Sequence, residues 1–335
     1  MQNSQKLQSF CGHPPKKEVY LKQNNHTTEA TMNAAVLTKT FIYVAILLIG
    51  YTFKKLGIFH RSDSKFLNSV ILNLTMPAAI INGFQGVSIT PHLLAGLGIG
   101  LFANTFLLVA GQVMTMRRTP NEQTIFVFST NCFAIATFSM PFLNGLVSAD
   151  GFAAICMFDI SVALMCYGVN IAVGNARMGG DGRVRFVPLV KKIFSSPVFL
   201  TYMVLIILSM CNVHLPQALL DLSGTIGSGN GFLAMLSIGI LFELRMPQNG
   251  RGIIVRLLVL RYSLCLAMSM AVYFLLPLPQ DIRLALSVLL MAPCASSAPL
   301  LTESAGADGS VAAAINSLSI PISITIMTLM LTFLH

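Results

Sequence analysis

From residue 34 onward the chain alternates long apolar runs with short polar interruptions, and each run approaches the ~20 residues that cross a bilayer as a helix. The spans fall at 34–53, 66–84, 93–115, 124–146, 152–174, 196–212, 219–242, 253–276, 283–304 and 310–333. The pattern predicts an all-α integral membrane protein of ten transmembrane helices. Residues 1–33 are polar, carry Lys6, Lys16, Lys17 and Lys22, and contain no apolar run able to act as a signal-peptide core. They read as a dispensable tail, with Met32 as an alternative start.

The interruptions inside the runs repeat. The second span is broken at Asn73-Leu-Thr-Met-Pro77 and the fourth at Pro141, 64 residues later; the seventh is broken at Gly229-Asn230-Gly231 and the ninth at Pro293, 62 residues after Gly231. The chain therefore divides into the tail (1–33), a first five-helix repeat (34–174), a basic linker (175–195) and a second five-helix repeat (196–335). Five is odd, so the halves insert with opposite orientation, the inverted-repeat pattern whose broken helices mark a midplane site in secondary transporters. Proline removes a backbone donor, and glycine and asparagine tolerate non-helical backbone. Within hydrocarbon the freed groups survive only against protein or a water-filled cavity. Breaks crossing at Pro141 and Pro293 would hold half-helix ends near the bilayer centre, and the positive ends favour anions.

Composition sharpens this. Of 335 residues, 55% are hydrophobic and 10% charged, against roughly 25% charged in soluble domains, and the mean hydropathy is +0.75. A soluble enzyme, a disordered chain and a disulfide scaffold are disfavoured. The net charge of +9 encodes topology rather than a nucleic-acid patch. Lys54, Lys55, Arg61 and Lys65 follow the first span, Arg117 and Arg118 the third, Arg177, Arg183, Arg185, Lys191 and Lys192 the fifth, and Arg245 and Arg251 the seventh. The loops after the even spans hold Arg283 alone. The positive-inside rule then puts the odd loops in the cytoplasm and both termini outside, in the plasma membrane, or the inner membrane of a Gram-negative cell; the four tail lysines oppose this. The seven cysteines form no C-x-x-C pair and read as small packing residues; the six histidines never fall at metal-ligand spacing. No cofactor or metal is expected.

Polar residues within the spans locate the chemistry. Ser129, Thr130 and Asn131 lie in the fourth span, Asp159 and Asn170 in the fifth, Ser296 and Ser297 in the ninth, and Asn316, Ser317 and Ser319 in the tenth. Serine and threonine often bond their own helix. Asp159 differs, because an ionised Asp at a helix centre costs about 2.5–3.5 kcal/mol on insertion scales and should face a cavity, a partner or a proton. Glu303 and Asp308 close the ninth span at the interface. Arg256 and Arg261 lie one to two turns into the eighth and are expected to snorkel to the cytoplasm, with attraction of an anionic substrate by Arg261 as the alternative.

Several segments resemble the auxin efflux carrier family of permeases, which includes bacterial malonate and malate carriers. Gly50-Tyr51 with Lys54-Lys55-Leu-Gly-Ile is similar to the family's opening helix and basic turn, and Asn73-Leu-Thr-Met-Pro77-Ala-Ala-Ile-Ile to its second-helix proline motif. Ala292-Pro293-Cys-Ala-Ser-Ser-Ala-Pro-Leu-Leu, Gly306-Ala-Asp308 and Asn316 to Pro321 are similar to its ninth and tenth helices. The resemblance covers most of the chain from residue 40. It implies two inverted five-helix repeats, a scaffold and a transport domain, and helices 4 and 9 crossing at Pro141 and Pro293, with nearby asparagines forming a small-organic-anion site. Asn131 stands ten residues before Pro141, a longer gap than is usual in the family, and the seventh helix offers Asn230-Gly231 where a proline is common.

The function expected is a secondary carrier for a mono- or dicarboxylate, working by alternating access. The candidate substrate residues are Asn131, Pro141, Asn170, Asn230, Gly231, Pro293, Ser296, Ser297 and Asn316, with helix breaks at Asn73 and Pro77. Asp159 is the candidate coupling group, for H+ or Na+. The partners are the anion and the bilayer, with no nucleic acid; a homo-oligomer stays open. Two alternatives remain: a sensor or receptor on a carrier scaffold, and an intramembrane hydrolase, for which no nucleophile–base pairing is visible.

Overall fold

A computed structural model describes residues 16–84, 91–183, 186–211, 213, 215–243, 247 and 250–334, with side chains from residue 33 except at 186 and 192. In chain order the elements are α1 (Lys16–Lys55), α2 (Asp63–Gly83), α3 (Pro91–Thr115), α4 (Pro120–Thr130), α5 (135–143), α6 (Ala149–Arg177), α7 (Phe186–Phe194), α8 (Pro197–Met210), α9 (Gln217–Leu241), α10 (Arg251–Leu275), α11 (Gln280–Leu289), α12 (Ala298–Ser304) and α13 (Gly309–Phe333). Among the described residues there is no strand. The protein is an all-α membrane protein. Seven helices, α1 from Asn33, α2, α3, α6, α9, α10 and α13, are long and apolar enough to cross a bilayer, and α8 is a shorter apolar helix.

Local sequence explains the helix starts. Thr119 caps α4 by accepting from the Glu122 N–H, and Pro120 follows where a missing donor costs nothing. Ser148 and Asp308 cap α6 and α13 in the same way, through the N–H groups of Gly151 and Ser310. Pro77 sits in the first turn of Met76–Gly83, just after a π-helical turn at Ile71–Thr75, so α2 continues past it. α1 begins at Lys16, within the polar tail, and the basic linker 175–195 contains the short helix α7.

The helices pack in two groups. One holds α1, α2, α8 and α9, and the other holds α3, α4, α6 and α10 to α13, while α5 lies between them against α6 and α9. In lipid there is no hydrophobic drive between helices, so close approach through small residues supplies the cohesion. Gly239 lies so near Leu47 that a Cβ would strike its carbonyl oxygen, and a Cβ on Gly50 would lie 2.7 Å from the Leu236 carbonyl oxygen, which seats α1 on α9. A Cβ on Gly227 would lie 2.8 Å from the Ala79 nitrogen, seating α9 on α2. In the other group Gly96 and Gly100 press α3 onto Ala154 and Ser161 of α6. Large apolar side chains such as Phe41, Phe102, Val113, Val255 and Phe274 point outward and exposed, as lipid-facing residues do.

Gly239→Leu should separate α1 from α9. The expected cost is about 1–3 kcal/mol, the range for overpacking, read as a lowered melting temperature in detergent, while Gly98→Leu, at a position open on all sides, leaves it unchanged.

Candidate functional site

Two helices stop inside the protein and pair with each other. α4 ends at Thr130, and α11 ends at Leu289 before Ala292-Pro293. The Ala134 N–H donates to the Pro293 carbonyl oxygen at 2.9 Å and the Ala295 N–H to the Cys132 carbonyl oxygen at 2.9 Å, an antiparallel bridge between Phe133 and Cys294. Each break thus satisfies part of the backbone that the other exposes. α5 and α12 then carry the chain onward from the crossing. Proline explains the second break, since it lacks a donor and clashes with the preceding turn. The first break lies at Asn131–Ala134, not at Pro141. Pro141 sits farther along, buried in the first turn of Met140–Leu143, where its carbonyl accepts from the Tyr43 hydroxyl at 3.0 Å.

Arg261 of α10 gathers carbonyls from both breaks, including that of Pro293, which also accepts from the Ala134 N–H. Its side chain is fully buried, and its two terminal nitrogens donate to Ser129 (3.4 Å), Thr130, Ala292 (2.9 Å) and Pro293 (3.4 Å). The guanidinium carbon lies 4.4 Å from the Phe133 ring centroid. Arg261 therefore does not snorkel as expected; the crossing supplies acceptors to its two terminal nitrogens. Arg256, one turn earlier, meets Glu122 at 2.8 Å.

Beside the crossing lies a cavity of about 720 Å³. Its wall includes Ala134 to Thr137 at the opening of α5 and Ser296, Ser297 and Pro299 at the opening of α12, with Asp159, Tyr167, Asn68 and Asn316. Arg61, Lys65, Ser196 and Glu303 belong to the same cavity and come from helix ends near the basic loops. Arg61 also meets Glu243 at 3.4 Å. On the opposite side Tyr43 and Lys39 of α1 bond the carbonyls of Pro141 and Asn144, and Thr40 meets Thr328 at 3.0 Å, closing the seam between the two helix groups. The cavity thus reaches the exposed residues Arg61, Lys65 and Glu303 at these helix ends. Helix N-termini supply partial positive charge to such a space, while Asp159 adds a carboxyl group whose Oδ2 accepts from the Tyr202 hydroxyl at 3.4 Å.

The candidate residues separate into two sets. Asp159, Ser296, Ser297 and Asn316 line the cavity, and Asn316 also donates to the Cys294 carbonyl at 2.6 Å. Pro293 contributes its carbonyl to the crossing. Asn131 and Asn170 instead bond each other reciprocally at 3.1 and 2.9 Å, and Asn131 donates to the Asn104 carbonyl at 3.2 Å, so they pin α4 to α6 and α3. Asn230 accepts from Thr75 at 2.9 Å, and a Cβ on Gly231 would strike Tyr43, so both belong to helix packing. Asn73 is exposed and bonds Ser69 within α2, one turn before Pro77. Tyr167, Tyr202, Asn68 and Thr137 were not anticipated; a hydroxyl-bearing Tyr in an apolar span was the available signal, since a buried phenol needs a partner.

Cys132 and Cys166 are joined by a disulfide with Cα atoms 6.0 Å apart, a correction to the reading of these cysteines as packing alone. The break in α4 brings Cys132 against α6. Among the described residues no group of three or more His, Cys, Asp or Glu is placed to hold a metal. No protein-family model matches this chain, and no curated protein matches it by sequence.

The Asn131–Asn170 pair is testable by a double-mutant cycle. Each alanine variant should lose about 1–3 kcal/mol, because the partner amide is left buried and unpaired. The double variant should fall well short of the sum; additive losses in chemical or thermal unfolding would contradict the pairing.

Proposed function

We propose that this chain is a secondary carrier for a small organic anion, a permease of the auxin efflux carrier kind suggested by its motifs. The observation that carries the reading is the cavity at the meeting of two interrupted helices, lined by their opening turns. Interrupted helices at mid-depth are where such carriers bind substrate, with positive half-helix ends towards anionic groups. Counting α8 and the two interrupted segments as crossings makes ten, arranged as two inverted halves, with α1, α2, α8 and α9 as scaffold and the remaining group as the moving body. Carboxylate oxygens are held by the N–H groups of α5 and the hydroxyls of Ser296, Ser297 and Thr137. Asn316 and Asn68 orient the rest of the molecule.

By the positive-inside rule the basic loops are cytoplasmic, so this conformation is inward-open. Alternating access then breaks the Tyr43–Pro141 and Lys39–Asn144 contacts on the outer side and closes Arg61, Lys65 and Glu303 on the inner side. Asp159 shares the cavity with the anion and would repel it while ionised. A proton arriving with the substrate removes that repulsion, so anion and proton move together.

Uptake of labelled mono- and dicarboxylates into proteoliposomes, with the pH gradient varied, tests this. Saturable uptake of at least one acid, accelerated by a proton gradient in wild type and insensitive to it in Asp159→Asn, is expected. Specific binding with no flux for any acid would instead identify a sensor on a carrier scaffold.

A further inference from the structure

We infer that Arg261 is a resident cation that fills the place a metal cation takes in ion-coupled carriers with broken helices, so that the crossing works without Na+. The inference rests on the carrier reading for its consequence in transport, and on geometry for the role itself. In sodium-coupled carriers, half-helix C-terminal ends and unwound carbonyls coordinate the ion. Here α4 and α11 bring their C-terminal ends together, and the four carbonyls of Ser129, Thr130, Ala292 and Pro293 converge on one positive group. That group is the guanidinium of α10. Both helix ends carry partial negative charge, and among the described residues Arg261 has no carboxylate partner in an ion pair. The side chain is fully buried, so what neutralises it is backbone.

Two consequences follow for ion binding. The oxygens that would form a Na+ shell already accept from Arg261. A second monovalent cation ~4 Å from the guanidinium would lose about a thousandfold in affinity through repulsion at an effective dielectric constant of 20. The charge is also covalently attached, so the crossing stays compensated throughout the cycle, whether or not an ion is available from either side. Coupling then falls to the cavity carboxyl, Asp159.

The test uses purified protein in detergent with no substrate present, unfolding being followed by a thiol-reactive dye that reads the buried Cys156, Cys265 and Cys294. Wild type should show no saturable change in melting temperature when Na+ replaces choline at constant ionic strength. Arg261→Ala should melt lower and recover with guanidinium or methylguanidinium, at concentrations that leave wild type unaffected, but not with choline. Arg261→Lys should lie nearer wild type than Arg261→Met. Saturable stabilisation of wild type by Na+ would overturn the role, and this arm stands even where the variants do not fold. Arg261→Met melting at or above Arg261→Lys would overturn it too, since an apolar filler would then suffice. In proteoliposomes, uptake rates should be equal in Na+ and choline. Na+-dependent uptake refutes the role of Arg261 and leaves the carrier standing. Absence of any flux, with guanidinium-restored melting, refutes the carrier and leaves the role standing.

Discussion

A helix that stops inside a membrane protein leaves its last carbonyls without donors, and in hydrocarbon each such group costs several kcal/mol. α4 and α11 both stop this way, and they meet. The solution has two parts: an antiparallel bridge between Phe133 and Cys294, and a guanidinium from α10 that gathers carbonyls from both helix ends. Remove the charge and two negative helix ends face each other in a site with little water. Remove the carbonyls and a buried Arg261 has nothing to hold it. Neither is stable alone, and the rest of the second helix group is arranged to keep them together: Asn131 and Asn170 fix α4 to α6, and Asn316 fixes α13 to the Cys294 carbonyl.

The same arrangement sorts charge in space. The negative ends of α4 and α11 are spent on Arg261, while the opening turns of α5 and α12 line the cavity. The wall of the space beside the crossing also holds Asp159. Glycines seat the helices within each group; between the groups, polar contacts such as Tyr43 to Pro141 and Thr40 to Thr328 accompany a shared apolar core, with Tyr43 also against Phe142 and Gly83 against Phe152.

Much of this was legible in the sequence because lipid constrains composition so strongly. The long apolar runs and the Pro293 break follow from hydropathy and from the chemistry of Pro. The break in α4 did not, because Asn131-Cys132-Phe133-Ala134 contains neither residue. It is imposed by pairing with residues more than a hundred positions away, and Pro141 drew attention to the wrong turn. Arg261 stood out as a charge in an apolar run, yet its direction depends on carbonyls supplied by two other helices. Asn131 and Asn170 look like substrate ligands in isolation; each is consumed by the other, a pairing that no local pattern reveals. The Cys132–Cys166 pairing depends on the same unanticipated break.

The most direct measurement is the side from which Ser296 can be reached. With Cys11 and Cys211 replaced by serine, a Ser296→Cys chain in sealed vesicles of each orientation is treated with a membrane-impermeant maleimide. Modification from the side bearing Arg61 and Lys65, slowed by a saturating carboxylate drawn from the uptake panel, is the result predicted for an anion cavity at the crossing. Modification that no carboxylate slows, or none from either side, would contradict it.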